Sequence, residues 1–184
     1  QKTIDAFLKF VSIHDIEKIQ QSGILDKIEK GEINSDQLFD AVNKLLGKGI
    51  LKSDFFNAWN AILLEYKTER IEWIKKLSNT HKIFLLSNTN EVHFANFSKK
   101  LKAEFNVSFN DLFIETYLSF EMGLLKPEVE IYEQLIKEQG IKPAETLFIE
   151  DTEINARAAE EIGIKTLVLM IFSYYFGTQK KEDK

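Results

Sequence analysis

The chain has 184 residues, an apolar fraction of 44% and a formal charge of −5, enough for one sizeable core or one core with a small satellite, and too apolar for a wholly disordered chain. Its charges spread over mixed Lys/Glu faces and form no basic stripe, so nothing draws it to nucleic acid or anionic lipid, and a small phosphorylated or neutral metabolite fits better as partner. Cysteine is absent, which excludes disulfides, thiolate chemistry and Cys-based zinc sites and is compatible with a cytoplasmic location.

The chain opens on Gln1 and not on Met, with no basic segment followed by an apolar one that would read as a secretory signal; a segment ahead of Gln1 is expected. From Lys2 to about Tyr66 the pattern is helical. Ser35 and Ser53 stand as N-cap candidates with Asp36 and Asp54 in the first turn, and Gly23, Gly31 and Gly47 stand where helices would end. Phe55, Phe56, Trp59, Ile62, Leu63 and Tyr66 recur at helical spacing, the mark of one buried face. Residues 1–67 are therefore expected to form a small helical bundle of their own.

After Thr68 helices and strands alternate. A helix over 69–77 leads to an apolar strand over 82–86, a helix over 91–105, a brief strand near 116–118, a helix over 128–139 ending at Gly140, a strand over 146–149, a helix over 155–162 and a strand over 165–169. Short apolar runs between amphipathic helices predict an α/β unit, a doubly wound parallel sheet covered on both faces, over residues 68–184. In such sheets ligands bind beyond the carboxyl ends of the strands. The apolar stretch from Thr166 to Phe176 is about half of the roughly 20 residues that span a bilayer, so no membrane anchor is expected. The tail after Leu169 has no clear reading. The histidines, His14, His81 and His93, lie too far apart for a metal site on one helix and read as surface or structural.

Three strand ends carry chemistry. Leu86-Ser87-Asn88-Thr89-Asn90 offers a hydroxyl, an amide and backbone N–H groups ahead of a helix, a cradle for phosphate oxygens, although the same residue types serve as turn and cap residues. Glu121-Met122-Gly123-Leu124-Leu125-Lys126-Pro127-Glu128 holds Lys126 beside a rigid proline. There Gly123 allows a tight approach and Pro127 suits a first helical turn, and Lys126 can neutralise a carboxylate and a phosphate or simply be solvated. Leu147-Phe148-Ile149-Glu150-Asp151-Thr152 ends a buried strand in two adjacent carboxylates. A cation such as Mg²⁺ would offset their repulsion, while the structural alternative is that Asp151 or Thr152 caps the next helix.

These three segments, in this order, resemble motifs two, three and four of the haloacid dehalogenase superfamily over residues 71–169. The leading bundle looks like the helical cap that one subfamily inserts after its first strand. Asn57-Ala58-Trp59-Asn60 and the stretch from Tyr117 to Pro127 resemble the branch with sugar-1-phosphate phosphatases and the phosphatase domain of soluble epoxide hydrolases. The resemblance implies that Ser87 hydrogen-bonds the transferring phosphoryl group with the Asn88 backbone beside it, that Lys126 stabilises charge on nucleophile and phosphate, and that Asp151 and Glu150 bind Mg²⁺ directly or through water. It implies a phosphomonoesterase working through an aspartyl-phosphate on a small phosphorylated metabolite such as a sugar phosphate, with the oligomeric state open. The family's first motif, an apolar strand ending in Asp-x-Asp, does not occur in residues 1–184 and is expected ahead of Gln1. The alternatives are a non-catalytic phosphate- and metal-binding module if that strand is absent, a phosphomutase, or a 2-haloacid dehalogenase of the same fold.

Overall fold

The computed structural model describes residues 8–9, 11–61 and 63–169; Ile62 and the tail from Met170 onward lie outside the described residues. The first half is helical: α1 (Ile13–Gln21), α2 (Ile24–Glu29), α3 (Ser35–Leu46) and α4 (Lys52–Asn60). Two of these helices begin in capping boxes, each of which satisfies two backbone N–H groups that a helix end would leave unpaired. Ser12 and Asp15 form one at α1, Asn34 and Gln37 the other at α3. Two expected caps do not hold. Asn34, not Ser35, caps α3, because its amide reaches the Gln37 N–H at 3.0 Å and Gln37 returns the bond at 2.9 Å. Ser53 lies inside α4, which starts at Lys52 after Leu51 with no side-chain cap.

Ile28, Leu38, Val42 and Phe55 form the buried centre of this bundle. Aromatic rings extend it, with Phe39 edge-on to Phe55 at 5.6 Å and Trp59 stacked on Phe55 at 5.7 Å. Such contacts fix ring geometry beyond simple burial. Trp59 thus belongs to the packed edge of the bundle.

The second half alternates α5 (Thr68–Ser78), β1 (Phe84–Ser87), α6 (Glu91–Phe105), β2 (Glu115–Leu118), the short α7 (Ser119–Met122), α8 (Val129–Gln139), β3 (Leu147–Glu150), α9 (Glu153–Glu161) and β4 (Lys165–Val168). Among the described residues all strand pairing is parallel. β1 pairs with β2 so that Ser87 faces Leu118, and β3 pairs with β4 so that Glu150 faces Val168. The fold is α/β, with parallel strands joined by helical crossovers beside a helical bundle.

The continuous sheet expected from the sequence appears as two separate two-stranded pairs. Among the described residues no strand pairs with both β1 and β3. Leu86 of β1 and Phe148 of β3 pack on one cluster built from Ile131, Tyr132, Ala158, Ala159 and Ile164. A second cluster of Ile71, Leu101 and Leu112 packs α5 and α6 together with the segment ahead of β2. Burial on both faces does not hold for β3 and β4: Leu147 is 56% exposed and Leu167 46%, because no described element packs there.

Candidate active site

The carboxyl ends of β1 and β3 open on one cavity of about 510 Å³. Ser87, Asn88, Lys126, Glu150 and Asp151 all line it, together with Asn155. The structure thus brings together every site residue picked out in the sequence. Among the described residues every one lining the cavity lies after Thr68 and none belongs to the helical bundle.

The loop after β1 is held from two sides. The Ser119 hydroxyl accepts the Thr89 N–H at 2.9 Å and donates to the Thr89 carbonyl at 2.9 Å, wholly buried as it does so. Asn90 caps α6 by accepting the His93 N–H at 3.0 Å. Four residues that could have formed a loose turn are therefore fixed ahead of a helix N-terminus, whose dipole favours anions. The Ser87 hydroxyl makes only a long 3.5 Å contact with the Asn88 carbonyl, so little is lost when it turns to a ligand.

Lys126 comes from the segment between α7 and α8. Its ammonium donates to Glu150 Oε2 at 2.6 Å and lies 5.4 Å from the centre of the Phe148 ring. The pair is buried, with Lys126 and Glu150 side chains 9% and 6% exposed. Breaking such a pair leaves an uncompensated buried charge, which is costly. Two readings of this segment change. Gly123 is needed for its left-handed φ of 70° at the end of α7, not for a close approach, since a Cβ there would meet nothing within 4 Å. Pro127 precedes Glu128, the N-cap of α8, and so stands outside the helix; the Lys126–Pro127 peptide bond is cis.

Glu150 and Asp151 differ in their surroundings. Burial opposes ionisation of Glu150, but the Lys126 ammonium and the Asp151 contacts outweigh it and hold the carboxyl below its usual range. Its Oε1 also accepts the N–H groups of Asp151 and Thr152 at 3.0 and 3.1 Å. Asp151 is pushed up by its bond to Glu150, then by burial and by the Glu150 charge. A carboxylate so crowded by another is where a cation gives the most relief. Thr152 stands at the N-cap position of α9, as the capping alternative has it, but makes no side-chain cap bond. Among the described residues no third Asp, Glu or His completes a metal cluster.

Contacts between the bundle and this half of the chain escaped sequence reasoning. Lys30 pairs with Glu128 at 2.5 Å. Glu91 accepts the Ser35 N–H at 2.6 Å. The His93 Nε2–H donates to the Trp59 carbonyl at 3.0 Å while the two rings stack at 5.4 Å. His93 is accordingly a bridge between the two halves, a role its spacing from other histidines could not reveal. Ser119 was the more readable omission, since a polar residue directly after a strand lies at the ligand-binding end of the sheet.

Comparison with known proteins matches this architecture. The family model for haloacid dehalogenase-like hydrolases covers residues 10–163. The chain belongs to that family and is an enzyme of its phosphatase kind. It is 29% identical over 172 residues to a D-ribitol-5-phosphate phosphatase of Bacteroides thetaiotaomicron, spanning 90% of this chain and 82% of that protein. A haloacid dehalogenase-family enzyme from the same organism, solved with magnesium and inorganic phosphate, superposes with a TM-score of 0.84 at 36% identity over 91% of this chain and 85% of that one. L-2-haloacid dehalogenase from Xanthobacter autotrophicus shares the fold, with a TM-score of 0.55 at 19% identity over 84% of this chain and 62% of that one.

Proposed function

We propose that the protein is a Mg²⁺-dependent phosphomonoesterase acting on a small sugar or polyol phosphate through an aspartyl-phosphate intermediate, with residues 1–67 as a cap over the α/β unit of residues 68–184. The observation that carries this reading is the buried Lys126–Glu150 pair beside Asp151 at one strand end, with Ser87 across the same cavity. The relative named for D-ribitol-5-phosphate supports the substrate class.

Each residue then has a task set by its surroundings. Ser87 donates its hydroxyl to a phosphoryl oxygen, with the Asn88 backbone beside it. Lys126, anchored by Glu150, keeps its charge next to the equatorial oxygens, where charge rises as the phosphoryl group moves. Asp151 fits as a direct metal ligand because its carboxylate has a long 3.3 Å contact with the Thr152 hydroxyl and is crowded by Glu150, a repulsion that a cation would offset. Glu150, engaged by Lys126 and two backbone N–H groups, fits better as the group that holds Lys126 and reaches the cation through water. Magnesium, when bound, supplies positive charge to nucleophile and phosphoryl oxygens. We place the attacking carboxylate on a strand ending in Asp-x-Asp and seated between β1 and β3, whose carboxyl ends border the cavity.

The test is hydrolysis of an aryl phosphate and of a panel of pentitol and pentose 5-phosphates, with Mg²⁺ and after thorough chelation. Mg²⁺-dependent release of phosphate, faster from the metabolites than from the aryl ester, is expected. Release of halide from a 2-haloacid without metal would transfer the site to the dehalogenase reading.

A further inference from the structure

Both backbone polar groups of Lys126 are held by one side chain from a distant part of the chain. Asn88 donates from Nδ2 to the Lys126 carbonyl at 2.9 Å and accepts the Lys126 N–H at Oδ1, also at 2.9 Å. The amide can adopt this pairing in one orientation only, since a flipped group would set donor against donor and acceptor against acceptor. The Lys126 side chain therefore leaves from a backbone position fixed on both sides, and its ammonium meets Glu150 at 2.6 Å. Pro127, next along the chain, has no N–H with which to replace the lost anchor.

We infer that the Asn88 side chain is a positioning residue for Lys126, and that it does not itself contact substrate. This goes beyond the phosphatase reading but rests on it for the meaning of Lys126. The amide's Oδ1 and one of its two N–H groups are already engaged by backbone, so its orientation is fixed before any ligand enters. Ser119 makes the same reciprocal pair with Thr89 one residue further on. Together the two clamps lock the loop after β1 to the segments that follow β2, so that Ser87 and Lys126 keep one spacing across the cavity.

The full-length protein is compared with Asn88→Ala, Asn88→Asp, Lys126→Ala and the Asn88→Ala/Lys126→Ala double variant. Asn88→Ala should lower kcat on the order of 10²-fold, the scale of loss when a catalytic group drifts by about an ångström. KM should move by less than about threefold, because ground-state binding is left in place. In the Lys126→Ala background the same change should cost little more, since the two residues act as one unit. A rise in KM with an undiminished loss in that background would make Asn88 a substrate ligand and overturn the inference. Should Asn88→Ala not fold, Asn88→Asp keeps the acceptor for the Lys126 N–H while setting an oxygen against the Lys126 carbonyl, and gives the same reading.

A second measurement needs no turnover. Under limited reductive methylation followed by mass spectrometry, Lys126 should react slowly in the native protein and several-fold faster in either Asn88 variant, with Lys75 and Lys142 unchanged. Faster labelling in a protein that hydrolyses no phosphate ester would reject the phosphatase reading and keep the clamp. Equal labelling in native and variant chains rejects the clamp whatever the activity.

Discussion

Lys126 and Asp151 line the same cavity, yet their substitution should be felt differently. Lys126→Ala removes a charge that counts most as the phosphoryl group transfers, so kcat should fall about 10²- to 10³-fold with a smaller change in KM, read in steady-state kinetics. Asp151→Asn should instead raise the Mg²⁺ concentration needed for half-maximal rate, measured by metal titration, while the melting temperature stays near that of the native protein. His93 gives a pH dependence. Burial holds its imidazole below the usual value, with the Trp59 carbonyl only partly offsetting this. As pH falls below about 6.5 the unfolded chain takes up a proton that the folded one refuses, so stability falls until the lower native value is passed. Urea denaturation at pH values from about 7.5 down to 5 should show this slope, and His93→Gln should flatten it. The residue types of Ser87, Lys126, Glu150 and Asp151 could be read from order and spacing. The partners of His93 could not, because stacking on Trp59 is a contact between segments 34 positions apart.

At the scale of elements, helix positions were legible because capping and periodicity are local. The helix over 91–105 begins and ends where expected, at the Asn90 cap and at Asn106, whose φ of 56° closes it. Asn34 and Ser35 show the limit, since both residue types cap well and the reciprocal bond to Gln37 decides between them. Strand pairing was less legible, because register depends on neighbours that a single segment does not contain. Gly31 illustrates a constraint visible only in three dimensions. Its φ is 67°, and an added Cβ would come within 2.1 Å of the Phe120 carbonyl oxygen. Gly31→Ala should therefore cost about 1 to 3 kcal/mol and force the bundle away from the α7 segment. Thermal melting and activity on a bulky against a small phosphate ester would check both effects; an unchanged melting temperature would show that the two surfaces part without penalty.

At the scale of the whole molecule, the proposed nucleophile strand can be tested against the two strand pairs. Among the described residues β1 and β3 each pair along one edge only, and buried N–H or C=O groups without partners cost about 1 to 3 kcal/mol each. A parallel strand between them would satisfy both edges and deliver an Asp-x-Asp to the cavity. Full-length protein bearing it should unfold in one cooperative transition by circular dichroism, and deletion of that strand should abolish soluble expression as well as activity. A cooperatively folded, active protein after the deletion would falsify the placement of the nucleophile. The α/β class was legible from alternation of helices and strands, whereas the division into two pairs was not, because sheet order is set by segments far apart in sequence.

The stacking of Trp59 on His93 has one more consequence, an optical one. The sequence holds two tryptophans, and the other, Trp73, is 52% exposed on α5. An indole lying against an imidazole, at the point where bundle and α/β unit touch, carries a fluorescence signal that changes when the ring leaves its neighbour. With Trp73→Phe as background, emission from Trp59 alone would report the separation of the two halves in real time, without an added dye. Stopped-flow mixing with inorganic phosphate would then show whether ligand binding moves Trp59 relative to His93.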